Sequence, residues 1–384
     1  MNAYGEDVVV ETPRGLYCPA GDFYIDPWQP VDRAVITHAH ADHARPGHAH
    51  YLASVRSVQV LRARLGEIDV QGLAWGEKVT HRGVTLSLHP AGHVLGSAQV
   101  RLEHEGRVWV VSGDYRIEAD RTCDAFEPVR CDCFITESTF GLPIYRWQPQ
   151  EEVLGQINEW WRANADAGRP SLLMGYSFGK VQRILAGVDA STGPIVVHGA
   201  VEPLNEAYRA AGIALPPTRR ATEMDKADLR RALVLAPPSV HGSAWSRRFP
   251  GASDAFASGW MRLRGARRRR GVDRGFVLSD HADWPGLLQA VAATGASRVI
   301  VTHGYEAVMV RWLQQQGWEA GSFRTEFGDE RLEGEGGSAE EVAPGTALDV
   351  RAPQAGAHGQ EAAAGTGRAH VPPEAFDAEE GGRS

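Results

Sequence analysis

His38-Ala-His-Ala-Asp-His43, directly after the apolar run Ala34-Val35-Ile36, packs four metal-capable side chains into six residues at a strand exit. Imidazoles with a carboxylate are the donors a cation takes when one position must stay open for water, and such a string can serve two cations. Structural zinc sites use cysteine more often. The stretch therefore points to a hydrolase.

Three further candidate ligands end strands beside a glycine, which lets backbone come close to a site. They are His93 in Pro90-Ala-Gly-His-Val-Leu-Gly-Ser97, Asp114 in Val110-Val-Ser-Gly-Asp114 and His303 in Val299-Ile-Val-Thr-His-Gly304. Two cations held about 3.5 to 4 Å apart need a bridging carboxylate to relieve their repulsion, and Asp114 suits that place. His48, His50, His81, His89, His104, His358 and His370 lack this context and read as structural or surface residues.

The surrounding pattern is α/β. Short β segments are predicted at Phe23 to Ile25, Arg33 to Thr37, Val84 to Leu88, Ala98 to Glu103, Arg107 to Ser112 and Phe134 to Thr136. A helix is predicted over Glu151 to Ala167, with Val153, Leu154, Ile157, Trp160 and Trp161 on its apolar side. Strands (171–174, 195–197) then alternate with helices (180–186, 203–211). A strand at Phe276-Val277-Leu278, a helix opening at Trp284-Pro285, a strand at 299–301 and a helix over 306–316 complete the plan. It predicts four segments: residues 1–142, an inserted α/β module at 143–274, a return to the first domain at 275–328, and a tail at 329–384. No solenoid repeat is visible.

Bulk numbers set the bounds. At 384 residues with 43% hydrophobic content the chain folds as one large domain with an insertion or as two domains. The net charge of −8 resides in the tail, where twelve Asp and Glu face four Arg, so the body is neutral. That tail is rich in Gly, Ala, Glu and Pro and is expected to be disordered. No apolar run suits a membrane span, the start lacks a signal core, and the four cysteines lack disulfide or zinc-ribbon spacing. A soluble cytoplasmic protein with reduced thiols is the expectation, with no membrane partner.

These motifs resemble the metallo-β-lactamase fold, its ordered motifs matching Asp26 in Tyr24-Ile-Asp-Pro27, the His38–His43 string, His93, Asp114 and His303. The resemblance covers residues 1 to about 328 and implies an αββα sandwich with a two-zinc site at one sheet edge. It implies that one Zn²⁺ takes His38, His40 and His93, the other Asp42, His43 and His303, with Asp114 shared, water between them and Mn²⁺ as a substitute. Asp26 would orient the ligand loop.

Three further strings are similar to the nucleic-acid branch of that fold, the β-CASP group. Glu137 in Thr136-Glu-Ser-Thr-Phe-Gly141 resembles its acidic motif A, His281 in Leu278-Ser-Asp-His-Ala-Asp283 its motif B, and His303 its motif C. Tyr176-Ser-Phe-Gly-Lys-Val-Gln-Arg-Ile-Leu185 and Ala257-Ser-Gly-Trp-Met261 look like the group's glycine-containing turns. Thr12 to Pro27 and Phe140-Gly-Leu-Pro-Ile-Tyr-Arg-Trp147 resemble the bacterial exonucleases associated with ATP-dependent DNA ligases. The insertion is short for the group, at roughly 130 residues.

The resemblance implies phosphodiester hydrolysis, with Asp42, Glu137 and His281 as catalytic residues and DNA favoured over RNA. DNA repair beside a ligase and a helicase is the implied setting. His281 is assigned as the proton donor to the leaving oxygen, with Glu137 accepting its other N–H; His198 in Val196-Val-His-Gly199 is the alternative donor. For phosphate grip, Arg262, Arg264, Arg267, Arg268, Arg269 and Arg270 lie in ten positions, and Lys180 and Arg183 follow a glycine at a helix start. An RNA-processing ribonuclease and a small-molecule metallo-hydrolase are the rival functions. A binding subunit without activity is disfavoured because every ligand position is filled.

Overall fold

The computed structural model describes residues 7–323. The tail at 329–384 lies outside the described residues. The chain opens as short strands divided by turns. β1 (Val10–Thr12), β2 (Gly15–Cys18) and β3 (Phe23–Ile25) pair antiparallel, and β4 (Arg33–Val35), β5 (His50–Ser54) and β6 (Val70–Leu73) continue the sheet in parallel, with α1 (Val58–Leu65) between the last two. A second sheet follows from β7 (Lys78–His81), β8 (Val84–Pro90), β9 (Ala98–His104), β10 (Arg107–Val111) and β11 (Cys133–Ser138).

The chain then leaves that sheet. α2 (Gln150–Asp166) leads into β12 (Ser171–Met174), α3 (Lys180–Gly187), β13 (Ile195–Val197), α4 (Glu202–Ala210), α5 (Lys226–Leu229), β14 (Leu233–Ala236), β15 (Ser253–Ala257), α6 (Arg264–Arg270) and β16 (Arg274–Phe276). These strands form a third, wholly parallel sheet in the order β13-β14-β12-β15-β16. After α7 (Trp284–Thr294), β17 (Arg298–Gly304) re-enters the second sheet beside β11, Ile300 opposite Ile135, and α8 (Glu306–Gln315) and β18 (Glu319–Ser322) finish it.

Period-two alternation explains the layering. Phe23, Ile25, Val35 and Leu52 of the first sheet face Leu86, Leu88, Val100, Leu102 and Ile135 of the second across one core, as in a sheet-on-sheet sandwich. The opposite face of the first sheet, Ala34, Tyr51 and Ala53, packs on Val60 and Leu61 of α1 and Leu204 and Tyr208 of α4. The outer face of the second, Val110, Phe134, Val299 and Val301, packs on Leu287 and Val291 of α7 and Met309 and Leu313 of α8. The third sheet is covered on both faces, so β12 and β14 are buried at every position.

The predicted elements lie within a residue or two of the observed ones, save that the strand expected at 299–301 runs on to Gly304 and one other is shifted. The strand expected over 276–278 ends at Phe276, because Leu278 N–H turns back onto Phe276 O at 3.1 Å and Leu278 O accepts from Lys180 Nζ at 2.9 Å. Among the described residues, no helix is long and apolar enough to cross a membrane.

Candidate metal centre

Every predicted ligand stands where a strand of the sandwich gives way to a loop. The His38–His43 turn follows β4 and closes through Ala44 N–H to His40 O at 2.8 Å. Asp26, in the left-handed region at φ +45°, clasps it: one carboxylate oxygen accepts Thr37 N–H at 2.7 Å, the other accepts the Thr37 hydroxyl and His43 Nδ1–H, the latter at 2.7 Å. His93 follows Gly92, whose φ is +75° and where a Cβ would lie 2.2 Å from Arg116 O. Asp114 follows β10 through Gly113. His303 ends β17 at φ +54°, its carbonyl held by the Ser138 hydroxyl. A left-handed non-glycine residue is strained, and both Asp26 and His303 carry that strain beside the site.

The surrounding acceptors decide which imidazole nitrogen is free. His93 Nδ1 donates to Asp280 O at 2.9 Å, His40 Nε2 to Phe178 O at 3.2 Å and His38 Nδ1 to Thr37 Oγ1 at 3.1 Å, that hydroxyl being spent on Asp26. Each ring therefore turns a lone pair inward. His40 Nδ1 lies 3.0 Å from His38 Nε2 and 3.1 Å from His93 Nε2, and with Asp114 the four ligand atoms fall within 4.8 Å of one another. Three lone pairs converging in a buried site without a donor suit a cation, and imidazole nitrogens with a carboxylate are a donor set that zinc accepts. The residues fit the metal their sequence implies.

A second set stands across Asp114. His43 Nε2, buried, is 3.4 Å from Asp114 Oδ2 and 3.7 Å from Asp42 Oδ2. The His303 ring is 5.3 Å from that of His43, its Nδ1 against Thr302 Oγ1 at 3.3 Å. Asp114 Oδ2 is also 3.5 Å from His38 Nε2 and 3.8 Å from His93 Nε2, so one carboxylate oxygen faces both sets. A cleft lined by Leu16, Trp28, Asp42, His43 and His303 opens beside them.

Charge follows the same division. Burial, with neighbouring imidazoles adding to it, pushes His38 and His93 well below the ordinary histidine range, and burial lowers His40. These three rings are held neutral. Burial alone would depress His43 too, but Asp114, Asp42 and Asp26 outweigh it and hold His43 well above its usual value. Asp114, which burial would raise, is kept well below the carboxylate range by His43 and His281.

His281 stands at the rim. Its Nδ1 is 2.9 Å from Glu137 Oε2 and 4.0 Å from Asp114 Oδ2, and its ring lies 4.6 Å from that of His93. Glu137, 1% exposed, also accepts Tyr115 N–H at 2.8 Å. Trp147 Nε1 donates to His281 O at 2.9 Å and holds the loop. His198, the alternative donor, follows β13 of the third sheet and packs on Trp245 with ring centroids 4.9 Å apart.

One predicted group needs correction. Lys180, read as a phosphate contact, is 4% exposed, its Nζ 2.8 Å from Asp280 Oδ2; Arg183, 1% exposed, donates to Ser279 O and His93 O, both at 3.0 Å. Neither side chain reaches solvent. Arg262, Arg264 and Arg268 are exposed, whereas the Arg270 guanidinium lies 4.2 Å over the Phe256 ring. The Arg267 and Arg269 side chains lie outside the described residues. Sequence reasoning missed Thr37 and Asp280, although each adjoins a predicted functional histidine.

No protein-family model matches the chain. A protein of Opitutus terrae named "Probable DNA ligase" is 37% identical over 317 residues, 81% of this chain and 30% of that protein. Cleavage and polyadenylation specificity factor subunit 3 of Dictyostelium discoideum is 27% identical over 124 residues, 31% of this chain and 16% of its own. Endoribonuclease YSH1 of Yarrowia lipolytica is 33% identical over 111 residues, 28% and 13% respectively. The chain thus spans less than a third of the length of these relatives. Among solved structures, an Enterococcus faecalis protein of unknown function aligns at TM-score 0.50 with 12% identity, covering 70% of this chain and 74% of that one, which is a likeness of fold.

Proposed function

The chain belongs to the β-CASP family of metallo-β-lactamase-fold nucleases, and on that premise we propose that it is a DNA exonuclease acting in repair beside an ATP-dependent DNA ligase, in the cytoplasm. The observation that carries the reading is one carboxylate, Asp114, facing two imidazole sets, with the His281–Glu137 pair 4.0 Å away. The ligase-named relative, which matches over 81% of the chain, favours the DNA setting.

In this reading two Zn²⁺ are held, one by His38, His40 and His93 and one by Asp42, His43 and His303, with Asp114 shared and Mn²⁺ as the substitute. When bound, the pair supplies Lewis acidity toward water and toward the phosphoryl oxygens. The protein does the rest. Asp26 keeps the ligand turn in place through Thr37 and His43. Glu137 fixes the Nδ1–H tautomer of His281 and favours its protonated form, so His281 hands a proton to the departing oxygen. Arg262, Arg264 and Arg268, all exposed, grip phosphates without regard to base. Residues 143–274, with the third sheet, are the inserted β-CASP module.

The matches to an endoribonuclease and a polyadenylation factor subunit favour a second reading, an RNA-processing nuclease with the same residues. Zinc-loaded and manganese-loaded protein is tested on matched single-stranded and duplex DNA and RNA labelled at either end. A ladder shortening from one end on DNA supports the exonuclease reading. Internal cuts confined to RNA replace it with the second, and metal-independent hydrolysis removes both.

A further inference from the structure

Two of the three imidazoles in the first ligand set have their outer N–H fixed through the third sheet. His40 Nε2 donates to Phe178 O, in the turn that leads from β12 into α3. His93 Nδ1 donates to Asp280 O, and Asp280 is itself gripped from α3: Lys180 Nζ is 2.8 Å from its Oδ2 and Arg183 Nε 3.2 Å from its Oδ1.

The same two cations hold the backbone on either side. Lys180 donates to Leu278 O at 2.9 Å, and Arg183 donates to Ser279 O and to His93 O, each at 3.0 Å. Lys180 and Arg183 are one helical turn apart and so present their heads to one place. Asp120 Oδ2 lies 3.5 Å from Arg183 Nε and adds a second carboxylate to the cluster. Lys180, Arg183 and Asp280 are all 4% exposed or less.

Taking such charges out of water is costly, and an apolar cluster of equal volume commonly stabilises a fold as well or better. Packing alone therefore does not explain the network. What it adds is direction: it sets where the acceptor of His93 Nδ1–H sits, and with it where the inward lone pair points. The two imidazoles of the second set are oriented elsewhere, His43 by Asp26 and His303 with its Nδ1 against Thr302.

We propose that Lys180, Arg183 and Asp280 are positioning residues through which the third-sheet module sets metal affinity at His38, His40 and His93, leaving the position at Asp42, His43 and His303 independent. The inference rests on the metal reading above. It makes the module a determinant of metal occupancy as well as a substrate surface.

The test uses the full chain, stripped of metal and titrated with Zn²⁺ against a competing chelator. Lys180→Met removes one cation; Arg183→Lys keeps charge and bulk, loses the fork that reaches Ser279 and His93, and serves if the first variant does not fold. Leu313→Ala, a core truncation under α8, is the control for general destabilisation. The wild type should bind two Zn²⁺, while each variant keeps one and loses roughly 10- to 100-fold affinity for the other. Leu313→Ala should keep both. Two unchanged affinities in a folded variant overturn the proposal, as does equal loss at both positions or the same loss in Leu313→Ala. A wild type that binds no pair of cations overturns the metal reading itself, a distinct outcome.

Discussion

His281 Nδ1 lies 2.9 Å from Glu137 Oε2, and that carboxylate is itself fixed by the Tyr115 N–H at 2.8 Å. Because Nδ1 is committed to Glu137, His281→Ala should remove a proton donor without removing a metal ligand. The expected result is a fall in kcat of roughly 10² or more with zinc content unchanged by elemental analysis. A leaving group that needs no proton, such as p-nitrophenolate, should recover most of that loss. Loss of zinc along with activity would mean that His281 is a ligand.

Asp26 offers a contrasting case, a residue that acts through others. Asp26→Asn tolerates the φ of +45° and keeps one acceptor for Thr37, but puts a neutral amide against His43 Nδ1. Zinc affinity at the second position should fall roughly 10- to 100-fold, and excess metal should restore activity. Lost activity that no metal concentration restores would refute the role.

How much of this was legible in the sequence depended on whether a residue's neighbours in the chain are its neighbours in space. The strands that end in His93, Asp114 and His303 announce themselves through apolar runs closed by glycine, and α2 through the spacing of Val153, Leu154, Ile157, Trp160 and Trp161. The strands β1, β2, β5, β6, β7, β14, β15 and β18 went unread; β14, buried on both faces, has no alternation to betray it. Lys180 was misread for a related reason. A lysine after a glycine at a helix start looks like an anion site, and only the approach of Asp280, a hundred residues later, turns that end into a buried ion pair. Aspartates beside catalytic histidines, as in Ser279-Asp-His281, are a signal that could have exposed the pairing.

The arginines are predicted to act as unspecific counter-charges. Replacing Arg262, Arg264 and Arg268 together by Ser should weaken binding of single-stranded and duplex DNA alike and lower the slope of log K against log salt by up to about three. Zinc content should not move. A filter-binding salt titration with an unchanged slope would place the phosphate grip elsewhere.

Gly92 tests how tightly the His93 loop is built. At φ +75°, with Arg116 O 2.2 Å from where a Cβ would stand, alanine there is both strained and obstructed. Gly92→Ala should cost about 1–3 kcal/mol in urea unfolding. The displaced loop should also lower zinc occupancy. A variant as stable as the wild type with full occupancy would show that the loop yields freely.

His48 gives the fold a pH dependence separable from the metal ligands. Burial pushes it down to about 4, Asp26 opposing and Arg45 assisting, while its Nδ1 accepts Val31 N–H at 3.3 Å. The unfolded chain, with an ordinary histidine near pH 6.5, takes up a proton that the folded chain refuses. Stability from this residue is therefore whole above pH 6.5, declines as the pH drops, and stops declining below about 4, where both states are protonated. Discounted for solvent screening, the loss at pH 5 is about 1 kcal/mol. Asparagine places an amide oxygen near the Nδ1 position and does not titrate, so His48→Asn should keep the Val31 contact and flatten the decline. Urea midpoints for both proteins between pH 7 and pH 5 decide it: the wild type should lose more than the variant, and parallel curves would show that His48 titrates as freely in the folded protein as in the unfolded one.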